Sequence, residues 1–531
     1  MKFKISRKIL LPLLGAVAFW GTPQAEKLII LHTNDTHSSI DPLSDHTSGI
    51  LQRKAILDSV RNVEKNVITV DAGDVVQGTL YFKYYGGEVE YPLMNMSGYD
   101  IRVLGNHEFD NGMESLAKYY RQVEGTPISA NYDFTGTELE DVFKPYVIKE
   151  INGKKIGFIG INIDPHSIIS TKNIKVNFKE VIPTANEIAS YLKKDEHCDL
   201  VVVVSHIGYQ KINEKASDIE LATNSKDIDL IIGGHTHTLI DPEHPEQNPS
   251  LFRNKDGKNV RIVQAGKQGI YIGKLTIDLD LLPLSGGEQI EYELIPVTDR
   301  FSESQLDAGM IDYLAPYKTG VDSVNNLVVA YCQEDLPKER TGGLANLTAD
   351  IGFQLGKEIS DSLRKSGMNI PGVDMAIMNV GGIRHAMPKG KITEGQILST
   401  YPFSNFFVLI SVKGSDIIEA LKISAKKGGE AISGNVRVIT DCDNNLKKVI
   451  IDGKEMNPEE NYIVATIDYV AQGNDDLESL ANHTLIWEGD EEISQPILNW
   501  IKNQQSLGLM IHPDTRSRFV VDNAYKQLPE N

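Results

Sequence analysis

Five times between residues 28 and 237 a short apolar run ends directly in residue types that bind metals, and this pattern restricts the fold more than any other feature. LIIL (28–31) runs into HTNDTH, VITV (67–70) into DAGD, IRVL (101–104) into GNHEFDNG, LVVVV (200–204) into SHIG, and IDLII (228–232) into GGHTH. Amphipathic segments such as SGILQRKAILDSVRN (48–62) and TANEIASYLKK (184–194) lie between them. Strand-like runs alternating with helical periodicity predict a layered α/β sheet domain. Ligands of open α/β sheets collect at the carboxyl ends of strands. Asp35, His37, Asp74, Asn106, His206, His235 and His237 are therefore expected to converge. Asp35 with His37, and His235 with His237, are two apart and should point the same way from extended backbone.

The chemistry of this set narrows the ligand. Imidazole and carboxylate without thiolate suit Zn, Mn, Fe or Co better than Ca or Mg. The donors overfill one tetrahedral site, so two divalent ions fit better than one. Two such ions held by two carboxylates leave a local positive surplus that attracts phosphate. Any one of these segments alone reads equally well as a polar turn; their recurrence at five strand ends favours the metal reading.

At 531 residues with 41% hydrophobic content the chain has the length for two domains. The formal net charge of −20 argues against a nucleic-acid groove. Cys198, Cys332 and Cys442 are few and scattered, so neither a disulfide framework nor a thiolate metal site is indicated. The N-terminus carries Lys2, Lys4, Arg7 and Lys8, then an apolar run from Ile9 to Trp20 and small or turn-forming residues to Ala25. It reads as a cleaved signal peptide over 1–25 in preference to an uncleaved anchor, because a span needs about 20 apolar residues. The mature chain is expected to be periplasmic or secreted, with no transmembrane span. The sequence does not reveal its oligomeric state.

The α/β domain is expected over 26–300. Residues 301–325, polar, partly helical in spacing and interrupted by Pro316, read as a connector. From 326 to 531 LANLTADIGFQLGKEISDSLRKSG and GSDIIEALKISAKK have helical spacing, while VDMAIMNV and NFFVLISV read as strands, giving a second, α+β domain. Arg340 and Arg384 could hold an anion, and Gly381 and Gly382 allow a ligand close to the backbone. Phe403 and Tyr469 stand next to turns and could stack on a flat base, although surface arginines are usually just solvated and aromatic residues usually pack.

In order and completeness HTNDTH, the Gly73-Asp74 pair, GNHEFDNG, SHIG and GGHTH resemble the metal motifs of the calcineurin-like metallophosphoesterases, and most of all the secreted 5′-nucleotidase family. The resemblance implies an α/β/β/α sandwich joined by a helical connector to a 5′-nucleotidase C-terminal domain. It implies that Asp35, His37 and His237 hold one ion, that Asn106, His206 and His235 hold the other, and that Asp74 bridges them. His107 would contact the phosphate, oriented by Asp110, while Glu108 is expected to be structural. A bridging water, deprotonated at neutral pH, would attack phosphorus in line, and protonated His107 would stabilise the developing charge.

Nucleotidase C-terminal domains carry an N-G-G-G-I-R motif, a P-F turn and an aromatic pair around the base. NVGGIR, PF and DY occupy corresponding places here. By that likeness Arg340, Asn379, Gly382 and Arg384 contact base or phosphate groups, Phe403 and Tyr469 stack, and Asp475 bonds the ribose. Val380 replaces a glycine, Tyr469 stands where phenylalanine is usual, and QGNDD leaves Asp475 and Asp476 hard to tell apart.

The implied activity is removal of the 5′-phosphate from nucleotides with Zn, Mn or Co. Alternatives on the same metal core are hydrolysis of UDP-sugars or of 2′,3′-cyclic nucleotides and 3′-nucleotides. A nucleotide-binding surface protein with a vestigial metal site is the non-enzymatic alternative. Since the two sites fall in different domains, the resemblance also implies a hinge that presents substrate to the metals.

Overall fold

The computed structural model describes residues 26–522, except 44, 166–173, 212–215, 368–369 and 404. The segment read as a signal peptide lies outside the described residues. Among the described residues no helix is long and apolar enough to cross a membrane.

Apolar runs of the first half become the strands of two six-stranded sheets. In the first, Lys27–Thr33 lies parallel to Val67–Asp71, which pairs in parallel with Ile101–Arg102. In the second, Leu200–His206 lies parallel to both Lys154–Asn162 and Leu230–Ile232. The sheets face each other through Leu28, Ile30, Val70, Phe158, Val202 and Ile232, all fully buried or nearly so. Helix Ile50–Val63 covers the outer face of the first sheet through Ile56 and Leu57. Helix Val181–Lys194 covers the second through Ala185, Ala189 and Leu192. The result is the four-layer α/β/β/α sandwich. Register aligns Thr33 with Asp71, Asp71 with Arg102, and Ile232 with Val204. The carboxyl ends of the strands therefore finish together, as ligand convergence requires.

The connector differs from its sequence reading in one respect. Helix Ala308–Asn325 runs unbroken through Pro316. A proline inside a helix costs about 3 kcal/mol through its missing N–H and the ring clash. Packing offsets that cost: Met310, Leu314 and Val321 are buried, and the hydroxyls of Tyr313 and Tyr317 bond Glu88 at 2.7 and 2.8 Å.

In the second domain a five-stranded sheet places Asn461–Ile467 between Met375–Met378 and Phe406–Lys413. Helices Gly343–Lys365 and Gly414–Lys426 form where the periodicity predicts. The two domains meet directly. Lys83 Nζ lies 2.6 Å from Glu492 and 2.9 Å from Ser494 Oγ, and Lys318 of the connector helix bonds Asp41 of the first domain at 2.9 Å.

Candidate metal centre and facing pocket

The expected residues come together at the carboxyl ends of the sheets. Asp35, His37 and His237 offer one ligand atom each within 4.8 Å of one another, and so do Asp74, His206 and His235. Asn106 joins the second group, its Oδ1 2.9 Å from His235 Nδ1. His107 also falls within 4.8 Å of His37 and Asp74, so distance alone leaves it a possible ligand.

The route to convergence corrects the sequence reading. Asp35 and His37 do not project from extended backbone; their φ values are +49° and +46°. His235 and His237 have φ +75° and +56°, and Asp74 has φ +56°. The strands end at Thr33, Asp71 and Ile232, and left-handed turns then carry the side chains inward. Non-glycine residues in this region are uncommon, and each carries backbone strain that the surrounding structure must hold. Backbone bonds supply the hold: His37 N–H donates to Asp74 O at 2.9 Å, and Asp35 N–H to Gly73 O at 2.9 Å.

Glu108 supplies more. Its buried carboxylate accepts N–H bonds from Val75 at 2.8 Å, Asp74 at 3.1 Å and Gly105 at 2.5 Å. It braces the turn that presents Asp74, and the sequence expectation of a structural residue takes this physical form.

The donors fit divalent cations. His37 Nε2 and His237 Nε2 approach to 2.9 Å, and burial holds the pKa of His37 well below its ordinary value and that of His237 at about 3. Two neutral imidazoles thus turn ring nitrogens toward a common point. His206 Nε2 is fully buried 3.1 Å from Asp74 Oδ2 yet is not aligned for a hydrogen bond. Burial opposes charge on His206, but Asp74 and Asp35 outweigh it and raise its pKa to about 10. Burial likewise opposes ionisation of Asp74, while His206, His107 and His37 outweigh it and hold that carboxyl well below the usual range. Burial pushes Asp35 up to about 7. A cation between these groups would relieve the orphaned nitrogen and the clustered acceptors together. Ala72 O accepts from His206 Nδ1 at 2.7 Å, which leaves Nε2 free to ligate. No sequence signal marks a backbone carbonyl for that task.

His107 opens a 3₁₀ turn, His107–Phe109. Its Nδ1 lies 2.9 Å from Asp110 Oδ2. Burial lowers the histidine pKa, but Asp110 and Asp74 outweigh it and leave it raised.

The second domain faces this cluster. The Phe403 ring lies 5.7 Å from that of His107, and the Arg384 guanidinium sits 5.4 Å over Phe403. Asn379 Nδ2 donates to Asp475 Oδ2 at 2.7 Å, and Tyr469 hydroxyl to Asp475 Oδ1 at 3.4 Å. Asp476 is turned away into an ion pair with Lys427, so the geometry separates the two aspartates. A Cβ on Gly381 would lie 2.7 Å from Asp475 Oδ2, and one on Gly382 2.7 Å from Asn379 Oδ1. The glycines therefore admit these side chains to the backbone. Arg340 is set apart from the others, half-exposed and 3.9 Å from buried Glu430. Glu430 accepts the Val380 N–H at 2.6 Å; nothing in the sequence around it marked that role.

A two-sheet sandwich with clustered imidazoles and carboxylates at its strand ends defines a calcineurin-like metallophosphoesterase, a hydrolase of phosphoesters. Residues 28–239 match the family described as calcineurin-like phosphoesterase, and residues 329–482 the 5′-nucleotidase C-terminal domain. The chain belongs to the 5′-nucleotidase family, which joins these two domains. It is 28% identical over 502 residues to a 5′-nucleotidase of Vibrio cholerae, covering 87% of this chain and 88% of that one. It is 27% identical over 496 residues to the trifunctional nucleotide phosphoesterase protein YfkN of Bacillus subtilis, 84% of this chain but 32% of that longer protein. The crystal structure of a 5′-nucleotidase precursor from Thermus thermophilus superposes with a TM-score of 0.76 at 27% identity, covering 93% of this chain and 99% of that one.

Proposed function

We propose that this protein is a dimetal 5′-nucleotidase that removes the 5′-phosphate from nucleoside monophosphates. The observation that carries the reading is the contact across the domains, with Phe403 5.7 Å from His107. An aromatic platform beside the phosphate-binding histidine suits a ligand with a flat base at one end and a phosphate at the other. In this reading Asp35, His37 and His237 hold one ion, Asn106, His206 and His235 the other, and Asp74 lies between. The donor chemistry favours Zn, Mn or Co. The domains divide at 26–300 and 326–531, with 301–325 as the connector, and the protein works in the periplasm or outside the cell.

Bound there, the ions would supply positive charge to the phosphoryl oxygens and make a water nucleophilic at neutral pH. The chain's own residues do the rest. Asp110 holds the His107 ring through Nδ1 and favours its protonated form. The other ring nitrogen can then donate to a phosphoryl oxygen as charge builds on it. Arg384 steadies the phosphate, Phe403 and Tyr469 stack on the base, and Asp475, with Asn379 and Gly382, shapes the ribose side of the pocket. Arg340 lies farther out and adds positive field.

A substrate panel tests this. Phosphate release from AMP should vanish with EDTA and return with Mn, Co or Zn. Release from a UDP-sugar or a 2′,3′-cyclic nucleotide but none from AMP would overturn the substrate assignment. Binding without any release would overturn the enzyme.

A further inference from the structure

HTNDTH holds a buried amide that is counted neither among the metal ligands nor in the phosphate site. Asn34, 2% exposed, stands between the end of its strand at Thr33 and the ligand Asp35. Its Nδ2 donates to Asp35 Oδ2 at 2.6 Å and to Gly266 O at 2.7 Å. Its Oδ1 accepts the Ala265 N–H at 2.8 Å. A backbone N–H can only donate, so the atom facing Ala265 must be the oxygen, and the amide nitrogen is thereby turned to Asp35. The consequence for Asp35 is directional. Oδ2 is held by Asn34, while Oδ1 lies 3.5 Å from His237 Nε2 and 3.9 Å from His37 Nε2. The His235 N–H lies 3.0 Å from Oδ1 and 3.1 Å from Oδ2 and so does not select between them.

The segment that grips Asn34 also grips the turn bearing the histidines. Residues 264–266 continue the strand Asn259–Val263, which lies parallel to Leu230–Ile232, the strand that leads into GGHTH. Gln264 is fully buried. Its Nε2 donates to Gly234 O at 2.8 Å, and its Oε1 accepts from the Thr238 N–H and, at 3.3 Å, from Thr236 Oγ1. Gly266 N–H donates to Thr238 O at 3.1 Å. The turn is therefore tied on both sides of His235 and His237 to the same three residues that fix Asn34.

We propose that Asn34 and Gln264 are positioning residues for the metal centre. Asn34 pins Asp35 so that Oδ1 is the oxygen presented beside His37 and His237, and Gln264 holds the turn carrying His235 and His237 in register with it. A carboxylate whose rotation is fixed by a hydrogen bond is a better ligand than a free one. The inference rests on the dimetal reading of the site.

The test is titration calorimetry of the metal-free full chain with Mn²⁺, beside thermal melts of the same metal-free protein by circular dichroism. Asn34→Leu replaces the amide by an apolar group of nearly the same size. It should weaken one ion about 10- to 100-fold, the same ion that His237→Ala weakens. The ion that His206→Ala weakens should bind it as tightly as it binds wild type. Gln264→Met should weaken both ions, because His235 and His237 ride on one turn. Asn34→Ser also removes the amide donor and decides the matter if the leucine variant does not fold. If these Asn34 variants bind both ions as wild type does, or weaken both equally with a lowered melt, the positioning role is refuted and the dimetal reading stands. If wild type itself takes up only one ion, the dimetal reading fails and the role of Asn34 at the first ion falls with it.

Discussion

Replacing His107 by Asn separates two roles that its position allows. His107 lies within 4.8 Å of His37 and Asp74, as a ligand would. It also lies 2.9 Å from Asp110 and 5.7 Å from Phe403, as a phosphate-binding residue would. Asparagine keeps the backbone N–H that donates to Asp74 Oδ1 at 2.9 Å, so the ligand turn should survive. What is lost is a positioned donor in a site where the His107 and Asp110 side chains are 15% and 18% exposed. Removing one such donor costs about 2.7 to 4 kcal/mol, a fall of roughly 100- to 1000-fold in kcat. Asp110→Asn retains a hydrogen bond but turns a charge-assisted one into a neutral one, a loss of about 1.4 kcal/mol or tenfold. The assay pairs steady-state phosphate release from AMP with metal content by elemental analysis. Full metal content with the expected loss of turnover supports the phosphate role. If His107→Asn loses metal in proportion to activity, His107 is a ligand and the reasoning fails.

Asp475→Ala should raise KM for AMP about tenfold. Asp476→Ala, which breaks the pair with Lys427, should instead lower thermal stability, so a larger KM effect from Asp476 would reverse the assignment. Glu108→Gln weakens three backbone bonds under the Asp74 turn and should reduce metal affinity about 10- to 100-fold in a titration monitored by activity. Glu430, whose pKa burial pushes up to about 7 from 4.5, keeps its proton in the folded state where the unfolded chain has released it. The folded state then binds more protons between these values, so this contribution is complete below pH 4.5 and is lost as pH rises through 7. The loss is on the order of 3 kcal/mol. Denaturant melts at pH 5 and 7.5 should show that difference in the wild type and little of it in Glu430→Gln.

The composition of the site was legible because its chemistry is local. One Asp-, His- or Asn-rich segment after an apolar run reads as well as a polar turn, but the same pattern at five strand ends is a local signal of ligands repeated along the chain. Amphipathic periodicity set helices such as Ile50–Val63 and Gly414–Lys426 to within a few residues, because each must bury one face. How ligands reach the centre was not local. Asp35, His37, His235 and His237 were expected on extended backbone, but take left-handed turns that hydrogen bonds from distant segments hold in place. Pro316 was expected to interrupt the connector, and the helix passes through it because tertiary burial outweighs propensity.

The order of residue types along the chain by itself determined which atoms could bind metal, which segments form sheets, and that two domains exist. Tertiary structure alone decided that Asp475 and not Asp476 faces Asn379, that Glu108 braces Asp74, and that Phe403 of the second domain stands beside His107 of the first. Side-chain chemistry belongs to each residue. Its direction, burial and field come from neighbours remote in sequence, and only the folded chain brings those neighbours close.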